Sequence, residues 1–157
     1  MKELCVETRR LRIRPRTFDE MEALRAAEPD PELKKAYGEM LDAMLALPGR
    51  EEWGADWIIC LAGGEIVGGA GFKGAPDRNG AVEIGYGIDA AYRNRGYAAE
   101  AVAGLCRWAL EQPGTARVEA ETDPDNAASQ RVLEKNGFRA TGETGEEGPR
   151  FFLSKNA

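Results

Sequence analysis

The stretch that decides the fold is Gly85-Tyr86-Gly87-Ile88-Asp89-Ala90-Ala91-Tyr92-Arg93-Asn94-Arg95-Gly96-Tyr97-Ala98. It continues a strand that runs from Ala81 to about Asp89. Beyond Ala91 the apolar period changes: Ala98, Ala101, Val102, Leu105, Cys106 and Ala109 recur at three and four. That spacing predicts a helix from about Gly96 to Gln112, ended by Pro113-Gly114. A strand ends, a short turn follows, and a helix begins at a glycine. Such a turn aims free backbone N–H groups at one point, where the helix dipole adds partial positive charge. Gly96 permits close backbone approach, Ala98 leaves room beside it, and Arg93 and Arg95 add two charges. These features describe an anion cradle for a phosphate or pyrophosphate; an ordinary turn with exposed arginines is the plainer alternative. Gly85 and Gly87 inside one strand point to a bulge or a ligand passing close. Together they suggest an elongated ligand, phosphates at the helix and reactive end at the strand.

Working outward, Thr8 to Arg16 alternates Arg with Leu11 and Ile13, the period of a half-buried strand. Thr17 and Glu20 form a capping box opening a helix around Met21 and Leu24. Asp30-Pro31 starts a second helix to about Leu47, with Leu33, Tyr37, Leu41, Met44 and Leu45 on one side. Trp57–Leu61 and Glu65 to about Phe72 flank Gly63-Gly64, a two-residue hairpin signal. Downstream, Arg117–Thr122 reads as a strand, Asp123-Pro-Asp-Asn126 opens another helix, and Gly137 supplies a left-handed C-cap. Phe138–Thr141 and Phe151–Ser154 are two last strands. The order β-α-α-β-β-β-α-β-α-β-β predicts a mixed α/β sheet in one domain spanning 1–157, since 157 residues is the length of a single typical domain. Gly69-Ala-Gly71-Phe-Lys-Gly74 matches GxGxxG in form, but a dinucleotide fingerprint needs a helix next, and Pro76 and a turn follow instead.

Composition removes whole classes of function. The chain has no histidine, so Ser-His-Asp triads, Cys-His pairs and HExxH zinc sites are excluded. A base must be a carboxylate, amine, thiolate, or a water that one of them activates. Net charge is −6, which argues against a nucleic-acid groove while leaving a local anion site possible. Three scattered cysteines, Cys5, Cys60 and Cys106, give neither a disulfide framework nor a metal knuckle. No apolar run approaches the ~20 residues that span a bilayer. A cytoplasmic protein without metal, membrane or nucleic-acid partner is the expectation.

Two motifs resemble a known family. Arg93-x-x-Gly96-x-Ala98 looks like the R/Q-x-x-G-x-G/A signature of the GNAT acyl-CoA N-acyltransferases. Asp125-Asn126-x-x-Ser129-x-Arg131-x-Leu133-x-x-x-Gly137-Phe138 is similar to the second motif of its ribosomal-protein-alanine acetyltransferase branch, as is the opening Thr8-x-Arg10-Leu11-x-Ile13-Arg14-Pro15. The resemblance covers nearly the whole chain and implies a GNAT-like acyl-CoA N-acyltransferase fold.

The resemblance further implies an acetyl-CoA-dependent N-acetyltransferase acting directly on a primary amine, either a protein or peptide N-terminus or a small molecule. The loop Arg93, Asn94, Arg95, Gly96, Tyr97 and Ala98 would hold the pyrophosphate. Backbone at Tyr86 and Ile88 would pair with the pantetheine arm, and an N–H near Gly87 would polarise the acetyl carbonyl. Glu83 is the leading base, with Glu119 and Glu121 as rivals. Many relatives protonate the leaving thiolate from a tyrosine four residues before the helix-ending glycine; that position here is Leu133. Ser129 is then the candidate to protonate or hydrogen-bond the sulfur, and Asn126 is both N-cap and pantetheine contact. Arg131 and Lys135 share a helix face that reads as solvated, and Cys106 reads as core. The weighed alternative is a catalytically degenerate acyl-CoA-binding sensor. Monomer and homodimer both remain open.

Overall fold

The computed structural model describes residues 4–155. Eight strands form a single sheet in the order β1-β2-β3-β4-β5-β6-β8-β7. The strands are β1 (Val6–Glu7), β2 (Leu11–Pro15), β3 (Asp56–Leu61), β4 (Ile66–Phe72), β5 (Ala81–Ile88), β6 (Arg117–Glu121), β7 (Arg139–Thr144) and β8 (Pro149–Ser154). Helices α1 (Phe18–Ala27) and α2 (Pro31–Leu45) follow β2, α3 (Tyr97–Glu111) follows β5, and α4 (Ala127–Lys135) follows β6. This is the expected element order, with one addition. The alternating segment enters the sheet only at Leu11; residues 8–10 turn, and Val6–Glu7 just before them form β1, which folds back on β2 as a small antiparallel ladder, Val6 opposite Ile13.

The caps behave as their residues dictate. The Thr17 hydroxyl accepts from the Glu20 N–H at 3.2 Å, and the Glu20 carboxylate accepts from the Thr17 N–H at 2.9 Å. Asp30 caps α2 ahead of Pro31. Gly137 closes α4 at φ +85°. Two expectations differ. On α2 only Leu41 and Met44 are buried; Leu33 and Leu45 stay exposed because α1 covers just part of that face. The β3–β4 connection is longer than two residues: the Leu61 N–H donates to the Glu65 carbonyl, and Gly64 turns at φ +101°.

The core lies between the sheet and α3. Ala101, Val102, Leu105, Cys106 and Ala109 are buried against Val82, Ile84, Val118 and the β2–β4 strands. A buried aliphatic side chain contributes about 1.5–3 kcal/mol relative to exposure, so this stripe fixes the rotation of α3 about its axis. Trp108 on α3 packs on Trp53, Trp57 and Phe72 with ring centroids 4.9, 5.1 and 5.8 Å away. The direction of the α3 N-terminus follows from that packing.

The sheet is two antiparallel halves with one parallel joint. β5 meets β6 only at Ala81–Arg117, Val82–Val118 and Glu83–Glu119. Beyond Glu83 the two strands part.

Candidate active site

Where β5 and β6 part, β5 exposes backbone. It runs in unbroken register with β4, pairing Gly69 with Gly87 and Gly71 with Gly85, so the expected bulge at Gly87 is absent. The two glycines serve another purpose: a Cβ built at either meets nothing within 4 Å, leaving a floor without side chains. Lys73 N–H donates to the Glu83 carbonyl and Asp89 N–H to the Val67 carbonyl. In an antiparallel ladder hydrogen-bonded residues alternate. Gly85 and Gly87 therefore spend their peptide groups on β4. Those of Tyr86 and Ile88 point the other way, into the gap. The N–H facing the gap is thus that of Tyr86 or Ile88 rather than of Gly87.

The turn after β5 has the anion-binding form. Ala90–Tyr92 make a short 3₁₀ turn. Asn94 then sits at φ +65° and Gly96 at φ +81°. Left-handed residues set between right-handed ones turn successive peptide N–H groups inward to make a concavity for anions. Gly96 is the N-cap of α3, whose first N–H groups have no intrahelical acceptor. Arg93 donates from Nε to the Ile88 carbonyl at 3.0 Å, tying the turn to the strand end. The Arg95 guanidinium lies over the Tyr92 ring, outside the groove wall.

A groove of about 600 Å³ runs from this turn to the parted strands. Tyr86, Gly87, Ile88, Arg93, Asn94, Gly96, Tyr97, Ala98, Asn126 and Ser129 line it. Arg131 and Lys135 line it too, although they read as a solvated face in the sequence. Three cations and no carboxylate face it, in a chain of net charge −6.

From the α4 side, Asn126 accepts from the Ser129 N–H at 3.0 Å, as an N-cap does. The Ser129 hydroxyl lies 2.8 Å from the Tyr86 hydroxyl. Burial raises the Tyr86 pKa; the bond to Ser129 works against that shift and Cys106 adds to it. The phenol is therefore a neutral hydrogen-bonding group near pH 7. Leu133 is fully buried, so no hydroxyl comes from that position. Burial pushes the Cys106 thiol up to about 12, which makes it an inert core residue.

On the opposite sheet face stands an ion cluster that no short motif could signal. Glu83 binds Lys73 Nζ at 2.8 Å and Arg150 Nη2 at 3.0 Å. The same Arg150 nitrogen lies 2.9 Å from Glu119, and its other terminal nitrogen pairs with Glu121. Arg150 thus gathers all three candidate bases at the point where β5 and β6 separate. A second groove, about 700 Å³, lies by Arg14, Phe18, Met44 and Glu52; its Glu20 is committed to Arg14 and to capping α1. Among the described residues no group of three or more Cys, Asp and Glu side chains is arranged to hold a metal ion, and no helix is long and apolar enough to cross a membrane.

A strand opened beside a glycine-capped helix, with a cationic groove between, is the architecture of the acyl-CoA N-acyltransferases. The acetyltransferase (GNAT) domain profile matches residues 10–139, and the chain belongs to that family of acyltransferases. It is 30% identical over 149 residues to the uncharacterized N-acetyltransferase YoaA of Bacillus subtilis, covering 87% of this chain and 84% of that one. It is 46% identical over 83 residues to the uncharacterized N-acetyltransferase YjdG of the same organism, a match spanning 52% of this chain and about half (49%) of that relative. Its fold superposes on RimL, a ribosomal L7/L12 alpha-N-protein acetyltransferase in complex with coenzyme A, with TM-score 0.72 and 17% identity over 96% of this chain and 98% of that one.

Proposed function

We propose that this protein transfers an acetyl group from acetyl-CoA to a primary amine, on a small molecule or a peptide N-terminus. The observation that carries this is the groove itself: three cations, a left-handed turn and a helix start at one end, unpaired strand backbone at the other. The turn 93–98 binds pyrophosphate through peptide N–H groups, with Arg93, Arg131 and Lys135 neutralising phosphate charge. Tyr86 and Ile88 offer backbone groups to the pantetheine amides. Bound acetyl-CoA supplies an activated thioester carbonyl. The N–H of Tyr86 or Ile88 that faces the gap donates to its oxygen, where negative charge develops.

Glu83 takes the acceptor's proton through water. It shares a face of β5 with Gly85 and Gly87, two residues or roughly 7 Å from Gly85 along the strand. A carboxylate offers about four lone-pair sites. Lys73 and Arg150 use two of them, leaving room for water. On the other side, Ser129, backed by Tyr86, hydrogen-bonds the departing sulfur.

The test is direct. Isothermal calorimetry should detect acetyl-CoA binding, and a free-thiol assay with a panel of amines should detect turnover. Absence of binding at millimolar acetyl-CoA sinks the proposal. A second reading, a CoA-binding module without catalysis, draws support from buried Leu133 and from the two cations on Glu83. Glu83→Gln separates the two. Slowing of at least tenfold with CoA binding intact favours the enzyme; tight binding without turnover on any amine favours the module.

A further inference from the structure

The Thr8-x-Arg10 segment takes no part in the groove wall, yet it reaches the back of the anion turn. Arg10 Nη1 donates to the Arg95 carbonyl at 2.9 Å. Its Nε donates to Glu100 at 2.7 Å, and its backbone N–H to the other oxygen of that carboxylate at 2.8 Å. The Thr8 hydroxyl donates to the same oxygen at 2.5 Å. The Arg10 guanidinium also lies 4.6 Å from the centroid of the Tyr97 ring. One side chain therefore touches residues 95, 97 and 100, which bracket the start of α3.

Two consequences follow from elementary geometry and charge. In a trans peptide the C=O and N–H point in opposite directions, and no described peptide is cis. Holding the Arg95 carbonyl toward Arg10 turns the Gly96 N–H away from Arg10, and Gly96 is a residue of the groove wall. Glu100 lies in the first turn of α3. Burial alone would raise its pKa, but the bonds from Thr8 and Arg10 bring it below the usual carboxylate range. It is therefore an anion close to where a polyanion is to bind, and Arg10 neutralises it.

We infer that Arg10 is a positioning residue for the donor's pyrophosphate. It aims the Gly96 N–H and cancels Glu100 from behind the turn, without touching the ligand. The inference rests on the acetyl-CoA reading above. Lysine cannot replace it fully, because a single ammonium lacks the planar fork that reaches Arg95 and Glu100 together while standing over the Tyr97 ring.

The experiment compares wild type, Arg10→Lys and Arg10→Gln on two donors, acetyl-CoA and S-acetyl-pantetheine, which has no pyrophosphate. The expected result is an acetyl-CoA KM raised at least tenfold in Arg10→Lys and further in Arg10→Gln, with kcat at saturation within twofold. The KM for S-acetyl-pantetheine should not change. Arg10→Lys keeps the charge and most of the packing, so it reports even if Arg10→Gln fails to fold. An unchanged acetyl-CoA KM, or an equal loss on both donors, overturns the role. Wild-type protein that binds no CoA overturns the acetyl-CoA reading, and this inference with it.

Discussion

The Tyr86 hydroxyl lies 2.8 Å from the Ser129 hydroxyl, joining β5 to the first turn of α4 across the groove. Neither oxygen has another side-chain partner among the described residues, and the Tyr86 hydroxyl also donates to the Ser129 carbonyl at 3.3 Å. If this pair serves the departing sulfur, Ser129→Ala and Tyr86→Phe each lower kcat by about 10²-fold, the lower end of acid–base contributions. The double variant should be no slower than the worse single one, because the two act as a unit. Steady-state kinetics with CoA affinity measured in parallel checks this; additive losses refute it.

Gly96 is the position where an added Cβ does most harm to the turn. It needs φ +81°, and a Cβ there meets the Arg10 guanidinium at 3.3 Å. Left-handed backbone costs an L-residue roughly 1–2 kcal/mol. Gly96→Ala should lose about that much stability in urea titration and weaken CoA binding about tenfold or more. Gly85→Ala meets open space and should keep its stability within about 1 kcal/mol. Its effect should fall instead on turnover, by filling the bare floor.

Removing Arg150 leaves Glu83, Glu119 and Glu121 crowded without their shared cation. The side chains of Arg150, Glu83 and Glu119 are 20%, 20% and 21% exposed, so screening is incomplete. Arg150→Gln should cost roughly 2–4 kcal/mol in chemical denaturation. Arg150→Lys recovers only part, since one ammonium cannot span three carboxylates. A loss below about 0.5 kcal/mol, the level of an ordinary surface pair, would refute the coupling.

Acid should weaken the fold through Glu20. The Arg14 guanidinium and then the Thr17 N–H hold its pKa down to about 2, against an ordinary 4.5. The unfolded chain therefore binds this proton first as pH falls. The stabilisation is present above pH 4.5 and is lost progressively as pH drops toward 2. Urea midpoints measured from pH 5 to 2.5 should show this slope, and Glu20→Gln should flatten it.

Thiol labelling should sort the three cysteines by environment. Cys5 is exposed, Cys60 intermediate and Cys106 buried. A disulfide reagent should titrate Cys5 quickly and Cys60 slowly, with Cys106 reacting only after denaturation. Rapid native labelling of Cys106 would contradict its packing.

Local features were legible in the sequence because their causes are local. The Thr17–Glu20 box, Asp30-Pro31, Gly137 and the three-four period of α3 each lie within a few residues of what they specify. Ala98 is the exception within that period: it lines the groove because it sits in the first turn, before α3 reaches the core. The glycine-capped turn was readable for the same reason. Arg150 was not, because its partners are 67, 31 and 29 residues away and meet only once β8 inserts between β6 and β7. Arg10 was visible as part of a motif, but not as a prop for residue 95. For Gly85 and Gly87 two causes share one sequence signal, a bulge or a closely passing ligand. The unbroken β4–β5 register removes the bulge, and the open space over both glycines leaves the face clear. Leu33 and Leu45 misled because a helical stripe shows which side is apolar, and not how far the neighbouring helix extends over it.

The three-rung joint between β5 and β6 bears on how the molecule assembles. Each half-sheet is an antiparallel set, and several of its hairpins can close with short loops. The joint must wait for the whole of α3 to come home between its two strands. It then holds three register pairs, against five in each of its neighbours β4–β5 and β6–β8, so it is the weak rung of the middle of the sheet. A donor whose extended arm bonds to Tyr86 and Ile88 would occupy the space β6 has vacated and act as a borrowed strand. Donor concentration would then govern the lifetime of the closed fold as well as the rate of transfer.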